Sequence, residues 1–134
     1  MNFSKTASYS INILSYMAAN QDTVMSASEL NKKLQIPYPY LRQILANLSR
    51  SGFIRSNRGR NGGFIFRKST KKISLADILE ATDGLETLNR CMLGFNECPF
   101  DNQCAMHTTW EQTRSNIVKI LKETTLNSLS TKRK

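Results

Sequence analysis

Between residues 26 and 52, apolar side chains recur three and four positions apart in two short runs. That spacing places them on one face of a helix. The first run comprises Ala27, Leu30 and Leu34, and the second comprises Leu41, Ile44, Leu45 and Leu48. The pattern therefore predicts two short amphipathic helices in succession.

Local signals predict where these two helices begin and end. Ser26 and Glu29 have the spacing of a capping box, which starts a helix. Pro37 disfavours helical geometry in the residue before it, so the first helix should end there. Pro39 suits the opening of the next helix, where a backbone N–H is not needed. Gly52 suits the left-handed position that ends a helix.

The residues after Gly52 have the pattern of a β-hairpin. Residues 53–56 and 64–66 are rich in Phe and Ile, and the segment between them reads NRGRNGG. Its spacing fits neither of the common phosphate-binding loops, GxxxxGK[ST] and GxGxxG. A flexible loop is the alternative interpretation of this turn. Two helices followed by a basic hairpin predict a winged helix-turn-helix, which places its second helix in a DNA groove.

Three more helices are predicted around this motif. The segment 4–20 is apolar on two faces and should be buried on both. Ser74, with Asp77 three residues later, should cap a helix that ends near Gly84. Residues 105–126 should form a helix of about 33 Å, at 1.5 Å per residue. Its apolar stripe would be buried by pairing with a second copy of the chain, although packing on its own domain is the alternative.

The predicted fold class is mainly α with a small β-hairpin wing. Residues 1–84 should form the winged helix-turn-helix DNA-binding domain and residues 85–104 a cysteine-containing sensor loop. Residues 105–127 should form a dimerisation helix, and residues 128–134 a disordered tail. A chain of 134 residues has room for one such domain and an extension.

The charge is concentrated in the half that contains the motif. Residues 1–72 hold 12 Lys and Arg against two acidic residues, a net charge of +10. Residues 73–134 hold seven against eight, a net charge of −1. A basic excess confined to the helix-turn-helix half is the pattern expected of phosphate binding. Double-stranded DNA is therefore the expected partner.

Other partners and compartments are less consistent with the sequence. No apolar run approaches the roughly 20 residues of a membrane span. The first residues, MNFSKTASYS, contain no apolar core of a secretion signal. We therefore expect a cytoplasmic protein, whose thiols are kept reduced.

All three cysteines and the single histidine lie within 17 residues. They are Cys91, Cys98, Cys104 and His107. Three thiolates and an imidazole can bind either Zn²⁺ or an iron–sulfur cluster. Zinc sites commonly contain a C-x₂₋₄-C pair, whereas the gaps here are six and five residues, which favours a larger group. A metal-free redox switch of thiols is a third possibility.

These motifs together resemble the Rrf-two family of bacterial transcription regulators. The resemblance lies in IPYPYLRQILANLSRSGFIRSNRGRNGGF, in the following ISLADILEATDG and in residues 85–104, which we call the cysteine loop. It covers residues 1 to about 126. Members of the family include an iron–sulfur cluster regulator and a nitric-oxide-sensitive repressor. The resemblance implies a homodimer with crossed long helices and a [2Fe–2S] or [4Fe–4S] cluster on Cys91, Cys98 and Cys104.

The resemblance also implies roles for individual residues. Tyr40, Arg42 and Gln43 would face the major groove, and Arg58 and Gly59 of the wing would approach the minor groove. The spacing Cys104-x₂-His107 is similar to the Cys/His arrangement of the iron–sulfur cluster regulator, so His107 is the expected fourth ligand. Ser8 stands where some nitric-oxide sensors have an aspartate ligand. The full set of expected DNA contacts is Ser28, Tyr38, Tyr40, Arg42, Gln43, Asn47, Arg58, Gly59 and Arg60.

Two other classes of function are less consistent with the sequence. A redox enzyme would need a CxxC pair or a nucleophile beside a base, and the sequence has neither pattern. A single-strand or RNA-binding module would need a platform of aromatic side chains on which bases stack, and the sequence shows no such pattern. The predicted function is a dimeric DNA-binding regulator controlled by an iron–sulfur cluster, with structural zinc or a cysteine redox switch as the alternative.

Overall fold

A computed structural model describes residues 3–95, 97–101 and 103–130. These residues form six α-helices, two short 3₁₀ segments and one antiparallel hairpin, which confirms the predicted fold class. No helix among them is both long enough and apolar enough to cross a membrane. The elements are α1 (Lys5–Ala19), α2 (Ala27–Leu34), α3 (Tyr38–Arg50), β1 (Ile54–Asn57), β2 (Gly63–Phe66), α4 (Leu75–Thr82), α5 (Ala105–Glu123) and α6 (Leu126–Ser130), with 3₁₀ segments at Thr70–Lys72 and Leu85–Asn89.

The boundaries of the helix-turn-helix lie within two residues of the predicted ones. The Ser26 hydroxyl oxygen accepts the Glu29 N–H at 3.1 Å and caps α2. The reciprocal contact joins the two side chains, 3.2 Å apart, instead of reaching the Ser26 backbone. Gln35, in the left-handed conformation, ends α2, and Pro37 occupies the N-cap of α3. The two helices are therefore joined by a tight turn of three residues, 35–37.

The end of α3 is a Schellman motif. The Phe53 N–H donates to the Leu48 carbonyl and the Gly52 N–H to the Ser49 carbonyl, both at 3.1 Å. Gly52 has φ +85°, which a residue with a side chain adopts only at a cost. The motif turns the chain directly into β1, so the position of the wing relative to α3 is fixed by local geometry.

One apolar core supports the helix-turn-helix. The apolar side chains on the inner face of α3 are each at most 1% exposed, and they pack with α1 and with residues of α2, β1 and α6. The second apolar face of α1 carries Ile13 and Met17 into the same core. Burial of a Leu or Ile side chain stabilises a fold by about 1.5–3 kcal/mol. The buried residues of the α3 stripe are Leu41, Ile44, Leu45 and Leu48.

The long C-terminal helix is shorter than predicted. It ends at Glu123, three residues before the predicted end, which corresponds to about 28 Å for 19 residues. The chain then pairs with the start of α4: the Leu75 N–H donates to the Thr124 carbonyl and the Leu126 N–H to the Ile73 carbonyl, each at 2.9 Å. This pairing with a distant segment replaces the last helical turn, and no local pattern in the sequence predicts it.

The predicted disordered tail is also partly wrong. Residues 126–130 form α6, which packs against α1, and Leu126 is fully buried in the main core. Residues 131–134 of the predicted tail lie outside the described residues, as do residues 96 and 102 of the predicted sensor loop.

Candidate DNA-binding surface and cysteine cavity

The outer face of α3 exposes several of the predicted DNA contacts. Arg42 and Gln43 are exposed, and Tyr38 in the first turn is 43% exposed. Asn47 is half-buried, and its side-chain oxygen accepts a hydrogen bond from the Arg50 guanidinium. Ser28, on α2, is exposed as well. The apolar stripe of α3 faces the core, so this polar face is the one available to a groove.

Tyr40 is held against α1 by two contacts. Its hydroxyl shares a hydrogen bond of 2.6 Å with the Thr6 hydroxyl. Its ring meets the Tyr9 ring edge-on, with centroids 5.5 Å apart. This support had no signal in the sequence, because Thr6 and Tyr40 lie 34 positions apart on separate predicted helices. The ring of Tyr40 is therefore half-buried and oriented by another helix.

The wing exposes its basic tip. Arg58, Gly59 and Arg60 are all exposed in the turn between β1 and β2. The hairpin is attached to the residue before the N-cap of α2, because Met25 and Phe64 exchange two backbone hydrogen bonds of 2.7 and 3.3 Å. The tip thus projects from a base that is hydrogen-bonded to the helix-turn-helix.

Basic residues that the sequence analysis did not assign to DNA also belong to the wing. Arg55 on β1 is exposed. The Lys68 ammonium lies 5.6 Å from the centroid of the Phe53 ring, a cation–π arrangement at the base of the hairpin. The charge asymmetry of the sequence was the only signal for these two residues.

A cavity of about 700 Å³ brings together the four predicted ligands. Cys91, Cys98, Cys104 and His107 all line it, and each is half-buried. It lies between the loop that follows α4 and the first three turns of α5. All three cysteines belong to the described residues, and none of them forms a disulfide.

The remaining lining of this cavity is mixed in character. Arg90 and Arg114 contribute positive charge, and Glu86 and Glu111 contribute negative charge. His107 Nε2 lies 3.4 Å from the Glu111 carboxylate, one turn along α5. The apolar lining consists of Met92, Phe95, Met106 and Trp110, together with Gly94.

Two contacts fix where the cysteine loop leaves the domain. The Trp110 indole N–H donates to the Arg90 carbonyl at 2.9 Å, next to Cys91. Leu88 is 6% exposed and packs in a small apolar cluster with residues of α1, α4 and α5. The loop between these anchors and α5 exposes large apolar side chains, namely Met92, Leu93, Phe95 and Phe100.

The donor set can be compared with the groups it was predicted to hold. Across the residues that the structure describes, no three His, Cys, Asp or Glu side chains lie close enough to hold a metal ion. The four donors nevertheless surround one roomy cavity. Thiolates and an imidazole are ligands that both an iron–sulfur cluster and Zn²⁺ accept.

Two helices joined by a tight turn, a hairpin wing and a basic outer surface define a winged helix-turn-helix DNA-binding protein. The chain belongs to the Rrf2 family, described as "Iron-dependent Transcriptional regulator", which it matches over residues 3–132. It is a DNA-binding transcriptional regulator and not an enzyme.

Individual relatives agree with this assignment. The chain is 34% identical over 131 residues to an HTH-type transcriptional regulator of Aquifex aeolicus, covering 96% of this chain and 91% of that one. It is 27% identical over 110 residues to the regulator IscR of Pectobacterium carotovorum, covering 82% of this chain and 66% of that one. The structure of CymR, the global cysteine regulator of B. subtilis, has the same fold, with a TM-score of 0.79, 21% identity and coverage of 97% and 96%.

Proposed function

We propose that an iron–sulfur cluster controls the affinity of this regulator for promoter DNA. Cys91, Cys98 and Cys104 would hold the cluster, with His107 as the fourth ligand. The observation that carries the proposal is that these four side chains line one cavity. When bound, the cluster would supply redox chemistry or reactivity toward small gases. Similarity to IscR regulators supports the same choice.

The DNA-binding residues of the proposal come from α3 and the wing. Exposed Arg42 and Gln43 would meet base edges or phosphates in the major groove. Arg58 and Arg60 would enter the adjacent minor groove, where a narrow groove concentrates negative potential. Tyr38 and Ser28 are exposed beside them and would contact the backbone, while Gly59 lets the wing approach closely. Asn47 would contribute from the later turns of α3.

The functional unit would be a homodimer that pairs through α5. Ile120 is 59% exposed on this helix, a large apolar side chain open to solvent in a single chain. A twofold axis through α5 would bury it against its own copy. The loop of residues 85–104 joins α4 to α5, so its shape would set the distance between the two α3 helices. Half-sites roughly 34 Å apart tolerate little change in that distance.

A modest energetic coupling between the cavity and DNA would be enough. Coupling of about 1–3 kcal/mol changes affinity by roughly five- to 150-fold. Such a difference separates an occupied promoter from an empty one at a fixed concentration of regulator.

The first experiment measures iron, acid-labile sulfide and zinc in protein purified without oxygen, together with the visible absorption spectrum. Equal iron and sulfide in a coloured protein supports the proposal. Cys98→Ala should remove both the colour and the iron and leave the circular dichroism spectrum unchanged. Met92→Leu is the matched control, because it alters the same cavity without removing a thiol. One zinc per chain in a colourless protein would overturn the proposal.

A metal-free cysteine switch is the second candidate. It is favoured by the three half-buried thiols that line one cavity. Metal-free protein would then lose or gain DNA affinity on treatment with a thiol oxidant and recover with dithiothreitol. The cluster proposal expects no such reversible change in a chelator-treated protein.

A further inference from the structure

The start of α1 contacts both the recognition helix and the residues that lead into the cysteine loop. We call residues 4–9 the α1 entry segment. It comprises the N-cap residue Ser4 and the first turn and a half of the helix. The segment contacts Tyr40 on one side and Asp83 on the other.

On the side of the recognition helix, the segment supports Tyr40. The hydrogen bond between the Thr6 and Tyr40 hydroxyls is 2.6 Å long, and the planes of the Tyr9 and Tyr40 rings meet at 76°. Tyr40 is in the first turn of α3 and precedes Arg42 by two positions. A first turn has few internal hydrogen bonds, so it depends on outside support for its orientation.

On the side of the cysteine loop, the segment is held by Asp83. The Ser4 N–H donates to the Asp83 carboxylate at 3.1 Å, and the Ser4 hydroxyl donates to the other carboxylate oxygen. Asp83 directly follows α4 and lies eight residues before Cys91. Its negative charge also suits the N-terminal end of α1, where backbone N–H groups point outward.

An apolar contact reinforces this second connection. Ala7, in the middle of the segment, is fully buried in a cluster that contains Leu88. Leu88 belongs to the 3₁₀ segment Leu85–Asn89 and lies three residues before Cys91. A displacement of the start of the cysteine loop would therefore act on the segment through Leu88 as well as Asp83.

We propose that the α1 entry segment couples the cysteine loop to the recognition helix, with Thr6 and Tyr9 as positioning residues for Tyr40. This inference rests on the proposed function, since it takes the cysteine loop to be the sensor. Release of Ser4 by Asp83 would loosen the first turn of α1. Thr6 and Tyr9 would then no longer orient Tyr40, and α3 would present Arg42 less well to DNA.

The coupling can be tested without cofactor or DNA. Hydrogen exchange, followed by mass spectrometry, is measured on the full chain with thiols reduced and metals removed. Asp83→Ala should speed exchange of amides in residues 38–44 at least fivefold, although these residues do not touch Asp83. Asp22→Ala, in the exposed turn after α1, is the matched control and should leave them unchanged. Unchanged exchange in residues 38–44 of a folded Asp83→Ala protein would overturn the proposal.

A second variant covers the possibility that Asp83→Ala does not fold. Asp83→Asn keeps one acceptor oxygen and removes the charge, so it should give a smaller increase over the same residues. An increase confined to α1 and α4 in this variant would also contradict the coupling.

DNA affinity then tests the positioning role. The probe is a duplex that the wild-type chain selects from a random-sequence pool. Thr6→Val keeps the branched shape and removes the hydroxyl, so it should lower affinity about fivefold, as expected for one lost hydrogen bond. Thr23→Val, which removes an exposed hydroxyl bonded to the Asn20 carbonyl, should have no effect.

A double-mutant cycle decides whether the two contacts act together. If the segment transmits the effect, Asp83→Ala should weaken binding less in a Thr6→Val background than in the wild type. Fully additive effects would overturn the coupling. If the anaerobically purified chain holds no iron–sulfur cluster, the proposed function is wrong, and the exchange experiment still decides the coupling.

Discussion

The attachment of the wing to the helix-turn-helix depends on Gly63. A Cβ atom added at this position would lie 2.4 Å from the Met25 carbonyl oxygen and 2.9 Å from the Ser26 nitrogen. Real Cβ atoms are essentially never closer than 3.0 Å to such atoms. Gly63→Ala must therefore push the hairpin away from Met25, and the two Met25–Phe64 hydrogen bonds would be lost.

The size of the effect can be worked from these contacts. Two backbone hydrogen bonds contribute about 1 kcal/mol each. Restricting the unfolded chain by a Gly-to-Ala change offsets about 0.5 kcal/mol. We expect Gly63→Ala to lower the free energy of unfolding by about 1.5 kcal/mol. For a chain of this length, that corresponds to a fall in melting temperature of about 5 °C.

The assay is urea unfolding and thermal melting at a fixed protein concentration. Ser56→Ala is the matched control, because Ser56 is exposed and pairs with Phe64 in the same hairpin. This control should change stability by less than about 0.5 kcal/mol. A Gly63→Ala protein as stable as the control would refute the close approach of the wing to Met25.

Four further outcomes are expected. Ser10→Ala should stabilise the fold by about 1 kcal/mol in urea unfolding. The reason is that the Ser10 hydroxyl is buried and has no hydrogen-bond partner within the described part of the chain. A loss of stability would show that this hydroxyl does form a hydrogen bond. Ser74→Ala should cost about 1 kcal/mol by the same assay, since it removes the cap of α4, a bond of 3.0 Å to the Asp77 N–H; no change would contradict the capping. Arg58→Ala or Arg60→Ala should each reduce the slope of log affinity against log salt concentration by the contribution of about one phosphate contact. Slopes equal to that of the wild type in both variants would exclude the wing from the DNA interface. Cys98→Ala should lose iron but keep the helical spectrum, whereas unfolding would favour structural zinc.

Elements with local signals were predicted well. Capping residues act on backbone groups within a few residues, so adjacent positions in the sequence predict their effect. Examples are Ser26 and Ser74 at the starts of α2 and α4, and Gly52 at the end of α3. The same holds for the hairpin, whose strands and turn are contiguous. The predicted end of α5 was wrong because pairing between Ser74 and Thr125 competes with the last helical turn. That competition is settled by two segments about 50 residues apart.

The sequence predicted which residues form the candidate site, but not the contacts that hold Tyr40 in place. The sequence alone grouped Cys91, Cys98, Cys104 and His107, and all four line one cavity. Their roles as ligands remain a prediction, as do the proposed DNA contacts. The support of Tyr40 by Thr6 could not be foreseen, since the two residues are 34 positions apart and neither belongs to a spacing motif.

The burial of Leu126 beside α1 affects how the chain folds during synthesis. The first helix and the last one belong to the same core, although more than 100 residues separate them. A nascent chain on the ribosome therefore has all of the proposed DNA contacts before it has its complete core. Contacts of such high sequence separation slow folding, because a long loop must be closed to form them. The core that supports α3 is therefore complete only after Leu126 has been synthesised.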